Sequence, residues 1–102
     1  MKRIVLCCAA GMSTSMLVSK MQAEAKQREL ELEIYAVPVS EFEREIINAD
    51  LVLLGPQVKF AAERLAGIAK PLGKEVAVID MQDYGMMRGS AVLDKALALL
   101  KN

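Results

Sequence analysis

Four short apolar runs, each followed by a stretch with helical spacing, constrain this chain more than any other feature. The runs are Ile4-Val5-Leu6-Cys7, the segment Leu32 to Val37, Leu51-Val52-Leu53-Leu54, and Val76-Ala77-Val78-Ile79. Strands that alternate with helices four times over imply βαβ units and a parallel sheet, because a parallel neighbour can be reached only through a crossover. The expected class is α/β, a single-domain four-stranded parallel sheet of order 2-1-3-4 flanked by helices. That order is flavodoxin-like and is shared with low-molecular-weight phosphatases. The first and third runs are the most continuously apolar and belong at the centre, where both faces are covered. In the second, Glu31, Glu33 and Tyr35 alternate with apolar positions, which marks a half-exposed edge.

The finer reading assigns strand one to residues 2–8 and helix one to about 14–29, with Leu17, Val18, Met21 and Ala25 on its inner face. Ser40 and Glu43 have capping-box spacing, so a short helix is expected from about 41 to 48 with Phe42, Ile46 and Ile47 inward. A further helix spans about 58–70, with Ala61, Leu65 and Ile68 inward, before Pro71. Lys74 to Ile79 is strand four and Asp80 to Gly89 a loop. Ser90 caps a last helix whose inner face is Val92, Leu93, Ala96, Leu97 and Leu100. The 102 residues suffice for one domain, and 54% are apolar, enough for a sizeable aliphatic core. The whole chain, 1–102, is read as that domain, without linker or repeat.

Charge and cysteine count exclude several classes. Thirteen Lys and Arg balance thirteen Asp and Glu, which argues against a nucleic-acid binder. The start, Met1-Lys2-Arg3 followed by apolar residues, has the look of a leader, but the apolar run breaks at Gly11 and reads as a first strand. No apolar stretch approaches the roughly 20 residues of a membrane span. No direct membrane insertion and a cytoplasmic location are therefore expected. With no His and two adjacent Cys, neither a zinc site nor a disulfide is expected, and no cofactor.

The chemistry concentrates in Cys8-Ala9-Ala10-Gly11-Met12-Ser13-Thr14-Ser15. It joins the first strand to the first helix, at the sheet edge where such folds bind ligands. Helix N-terminal amides and the helix dipole favour an anion there, and a thiol in that field favours its thiolate form. Cys8 is the candidate nucleophile, in a P-loop-like anion-binding loop of Ala9, Ala10, Gly11, Met12, Ser13, Thr14 and Ser15. Cys7, one residue deeper, points to the opposite side and into the core. Ser13, Thr14 and Ser15 serve as helix caps, as phosphoryl ligands, or as both. Cysteine phosphatases carry an Arg six positions after the nucleophile. Here that position is Thr14, and no Lys or Arg lies between Arg3 and Lys20. A loop without a guanidinium suits holding and relaying a phosphoryl group better than hydrolysing it.

The loops after strands three and four should share that edge. Gln57 either donates a hydrogen bond to the phosphoryl group or a partner, or stands in solvent. Tyr84 either covers the loop or packs beneath the last helix. Asp80 and Asp83 are a general acid or turn-forming caps. Met12, Met16, Met86 and Met87 form either an adaptable partner surface or core.

The loop motif, together with Leu53-Leu54-Gly55-Pro56-Gln57 and Asp83-Tyr84-Gly85, resembles the enzyme IIB component of the lactose/cellobiose (chitobiose) class of the bacterial sugar phosphotransferase system. The resemblance covers essentially the whole chain. It departs at Cys7, commonly a large apolar residue in the family, and at Ala9, often Ser. It implies a PEP-dependent phosphotransferase subunit in which Cys8 becomes a phosphocysteine. The phosphoryl group would come from a phosphohistidine on the IIA component. It would leave to a sugar, a β-linked disaccharide such as cellobiose, chitobiose or lactose, held by the membrane permease IIC. Such transfer calls for a shallow, open site on a chain that is a monomer on its own. The competing readings are a small cysteine phosphatase or arsenate-reductase-like enzyme, which the missing Arg disfavours, and a non-catalytic flavodoxin-like module, which the thiol motif disfavours.

Overall fold

The apolar runs become strands whose burial follows their position in the sheet. The structure, a computed structural model, describes residues 2–9 and 12–100, and of Met12 and Ser13 the backbone alone. Strands β1 (Lys2–Cys8), β2 (Leu32–Pro38), β3 (Leu51–Leu54) and β4 (Glu75–Val78) form one parallel sheet of order β2-β1-β3-β4. Ile4 stands opposite Ile34 on one side and Leu51 on the other, and Leu54 opposite Val78. Every residue of β1 from Ile4 to Cys8 is buried, as is all of β3. The edge strands β2 and β4 are only partly covered.

Side-chain alternation in the strands divides the core into two layers. On one face Ile4, Leu6, Leu51 and Leu53 pack against α1 (Met12–Gln27) and α5 (Gly89–Leu100), through Leu17, Met21, Val92 and Leu93. On the other, Val5, Cys7, Val52 and Leu54 meet Phe42, the single residue of α2 (Phe42–Glu45) that is buried, and Leu65 of α3 (Ala62–Ala69).

Several boundaries differ from expectation. Helix α1 begins at Met12, not near 14, and ends at Gln27. Glu29 takes a left-handed φ of 58° while the Leu30 amide donates to the Ala25 carbonyl and the Glu29 amide to that of Lys26. This is the Schellman arrangement, with Glu where Gly is usual. The 41–48 segment is a 3₁₀ turn, Val39–Glu41, followed by the single turn of α2, and Ser40 caps nothing. With the helix finished by Glu45, Ile47 points outward at 64% exposure and Ala49 takes the inner place. The 58–70 helix divides into a 3₁₀ stretch, Pro56–Ala61, interrupted at Val58, then α3 and a 3₁₀ turn, Lys70–Leu72. Residues 80–89 are not all loop, because α4 (Met81–Gly85) forms within them. Helix α5 starts at Gly89, so Ser90 lies inside it and does not cap it.

Candidate functional site

The carboxyl edge of the sheet brings three chain exits side by side. The Gly55 amide donates to the Cys7 carbonyl at 2.9 Å, and the Ile79 amide to the Leu54 carbonyl at 2.8 Å. The ladder thus continues one residue past each strand, and the segments after β1, β3 and β4 leave from one line. Cys8 is the last residue of β1, and α1 begins four residues later.

The two thiols part as strand alternation requires. Cys7 packs with Val5, Phe42 and Ile46. Burial pushes its thiol up to about 12, helped by Cys8 and Glu45, so it stays protonated and inert at neutral pH. Cys8 belongs to the opposite face, in line with Ile4 and Leu6. At 1% exposure it lies at the floor of the edge and not on an open surface, contrary to the shallow site expected from the sequence. The cause is its place on a central strand with the β3 exit packed beside it.

Gly55 is the residue of the β3 exit that lies beside Cys8. A Cβ at Gly55 would lie 3.5 Å from the Cys8 Cβ and 2.7 Å from Gln57 Oε1. The backbone there is ordinary extended chain, φ −63° and ψ 151°, so this glycine supplies space and not an unusual conformation. The exposed Gln57 turns its amide end back over Gly55, toward the residue that Cys8 also touches. In the sequence Gly55 stood out only as part of the stretch Leu53-Leu54-Gly55-Pro56-Gln57 that carries the family resemblance.

Of the loop residues, Ala10 and Gly11 lie outside the described residues, as do the side chains of Met12 and Ser13. Ala9 and Ser15 are exposed. Thr14 is not a cap but the third residue of α1, buried to 1%, and its hydroxyl shares a hydrogen bond of 2.8 Å with the Tyr84 hydroxyl, in which either can donate. Of the two alternatives for Tyr84, the structure shows the packing against the last helix. Its ring packs in the core beside Leu17 and Leu93, and its hydroxyl reaches the first turn of α1. No acidic residue occupies that turn, which leaves the helix dipole uncompensated where an anion would sit.

The carboxylates are structurally engaged. Asp80 caps α4, accepting from the Gln82 amide at 3.0 Å and the Asp83 amide at 3.2 Å. Asp83, mostly buried, lies 3.7 Å from Arg88 and 3.6 Å from Lys95. Met16 and Met86 are exposed, and Met87 is half-buried against the core. Among the described residues, no three His, Cys, Asp or Glu gather in a way that would hold a metal. Nor is any described helix long and apolar enough to cross a membrane.

Comparison with known proteins identifies the family and the fold. The family model for the lactose/cellobiose-specific IIB subunit of the PTS system matches residues 3–95. The oligo-beta-mannoside-specific EIIB component of Bacillus subtilis (strain 168) is 42% identical over 102 residues, covering 100% of this chain and 99% of that one. The galactose-specific EIIB component of Lactococcus lactis subsp. cremoris (strain MG1363) is 45% identical over 106 residues, covering 99% and 94%. The solution structure of the cellobiose-specific phosphotransferase IIB component of Borrelia burgdorferi superposes with a TM-score of 0.83 at 39% identity, covering 99% and 93%.

Proposed function

We propose that this chain, which belongs to the lactose/cellobiose-specific IIB family of the PTS system, carries its phosphoryl group on Cys8. The chain is a IIB component and hence a phosphotransferase of sugar uptake. Beyond that, the reading assigns the steps. The Cys8 thiolate attacks phosphorus in line as the phosphorus–nitrogen bond of a IIA phosphohistidine breaks. A hydroxyl of a sugar held by IIC then takes the group as the sulfur–phosphorus bond breaks, and the thiolate is restored. The loop from Ala9 to Ser15 holds the phosphoryl oxygens through its amides and the hydroxyls of Ser13 and Ser15, the Thr14 hydroxyl being bonded to Tyr84. Residues 1–102 act as one cytoplasmic domain that meets IIA and IIC in turn.

The observation that carries this is the placement of Cys8: last residue of a central strand, four residues before the start of α1, with Gly55 beside it. Cys7, buried with its proton held, offers no rival. The absence of Lys or Arg from residues 4–19 favours relay over hydrolysis. A β-linked disaccharide is the substrate class proposed. The relatives compared are named for an oligo-beta-mannoside, galactose and cellobiose, and the reading assigns the choice among sugars to IIC.

The test is intact mass after incubation with a phosphoenolpyruvate-driven relay and a cognate IIA. Wild type and Cys7→Ser should each gain one phosphoryl group, and Cys8→Ser none. Steady Cys8-dependent turnover of p-nitrophenyl phosphate would instead support the phosphatase reading.

A further inference from the structure

We infer that Tyr84 is a positioning residue for phosphoryl transfer, acting through Thr14 on the helix turn that follows the cysteine loop; the inference rests on the Cys8 reading above. Tyr84 belongs to α4, seventy residues from Thr14 in sequence. Its ring is fixed in the core layer formed with Leu17, Ile79, Val92 and Leu93. A buried tyrosine hydroxyl needs a partner, and Thr14 Oγ1 at 2.8 Å supplies it. Both side chains are nearly inaccessible, so the bond is shielded from competing water. Among the described residues no buried side-chain nitrogen or oxygen is left without a partner, and this pair satisfies two such groups together.

The placement gives the bond its consequence. Thr14 is the third helical residue of α1, and its turn presents the amides that face the loop. Apolar packing along the inner face of α1 tolerates small rotations of this turn, whereas the hydroxyl pair is directional and ties the turn to α4. Its other end is secured in turn. Asp80 caps α4, the Arg88 amide donates to the Asp83 carbonyl at 2.9 Å, and Arg88 and Lys95 flank the Asp83 carboxylate. The segment after β4 thus acts as a brace, with Tyr84 its contact point on α1. When Cys8 gains a phosphoryl group, amides held in place stabilise the new charge without reorganising.

The experiment measures the rate of phosphoryl transfer from phosphorylated IIA as a function of IIA concentration. It compares wild type, Tyr84→Phe, Thr14→Val, the double variant and Thr14→Ser. The expected result is a fall of about tenfold or more in kcat for Tyr84→Phe, with KM for IIA little changed, as befits a small misplacement at the reacting centre. Thr14→Val should lose a similar amount and the double variant scarcely more, because either change breaks the same bond. Thr14→Ser, which keeps the hydroxyl, should recover most of the loss. Melting curves of each variant separate loss of fold from loss of transfer. Wild-type kcat in a folded Tyr84→Phe, a loss confined to KM, or fully additive single effects would each overturn the inference. Failure of wild type itself to load on Cys8 would instead count against the carrier reading, and with it this one.

Discussion

Alanine at position 89 would place a methyl group where α1 already runs. A Cβ at Gly89 would lie 2.8 Å from the Lys20 Cβ, 2.9 Å from the Lys20 carbonyl carbon and 3.1 Å from the Met21 amide nitrogen. Two of these atoms are helix backbone and cannot swing aside. Carbon–carbon contact becomes favourable only near ~3.5 Å, so α1 and α5 must separate by roughly 0.7 Å at this crossing. The separation loosens the layer where Leu17, Met21, Val92 and Leu93 are sealed from solvent. Overpacking of this kind costs about 1–3 kcal/mol, offset by up to about 1 kcal/mol from replacing a helical glycine. The net expectation is a loss of about 1–2 kcal/mol, or a melting temperature lower by about 5–15 °C for a domain of this size. Gly67 is the internal control. It lies within α3 with nothing within 4 Å of its would-be Cβ, so Gly67→Ala should gain about 0.5–1 kcal/mol. Thermal and urea unfolding of both variants decide the matter. A Gly89→Ala protein as stable as wild type, or shifts of the same sign in both variants, would refute the reasoning.

Alkaline pH should destabilise the fold in a defined window. The folded Cys7 thiol is pushed from 9.0 to about 12, chiefly by burial, so its stabilisation is complete below pH 9 and lost as pH climbs toward 12. Tyr35, raised from 10.0 to about 12 by burial and its hydrogen bond to Glu45, adds a second loss that begins one pH unit higher. Urea midpoints measured against pH should therefore fall from pH 9 upward, and Cys7→Val should delay the fall to about pH 10; a flat profile in wild type would count against it. Asp80→Ala removes the cap of α4 and should cost about 1 kcal/mol, with faster hydrogen exchange at the Gln82 and Asp83 amides; unchanged exchange there would deny the cap its role. Gly55→Ala asks nothing unusual of the backbone, so stability should hold within about 0.5 kcal/mol. The new methyl group displaces Gln57, and the side-chain amide resonances of Gln57 should move; unmoved resonances would mean that the amide does not lie over Gly55.

What the sequence revealed, and what it concealed, follows from the range of the interactions involved. Strand order was legible because near-continuous apolar character in Ile4–Cys7 and Leu51–Leu54 marks strands covered on both faces, whereas Glu31, Glu33 and Tyr35 mark an edge. Cys7 and Cys8 could be assigned to opposite faces because the strand period is two. The end of α1 was not legible, since Glu29 adopts a left-handed conformation that glycine usually signals. Ile47 followed the helical pattern, but the helix had ended before reaching it. The Asp80 carboxylate organises α4 over a single turn, too short for periodicity to register. At the site, the spacing around Cys8 was local and readable. The pairing of Thr14 with Tyr84 and the space left by Gly55 and Gly89 arise only when distant segments meet, and no residue pattern nearby announces them.

The central claim is that Cys8 passes its phosphoryl group on and does not release it. The chain should be loaded with a radiolabelled phosphoryl group through IIA, purified, and mixed with membrane vesicles containing IIC and a β-linked disaccharide. The account expects the label to remain on the protein until vesicles and sugar are both present, and then to appear in a sugar phosphate. Release as inorganic phosphate at the same rate without vesicles or sugar would contradict it.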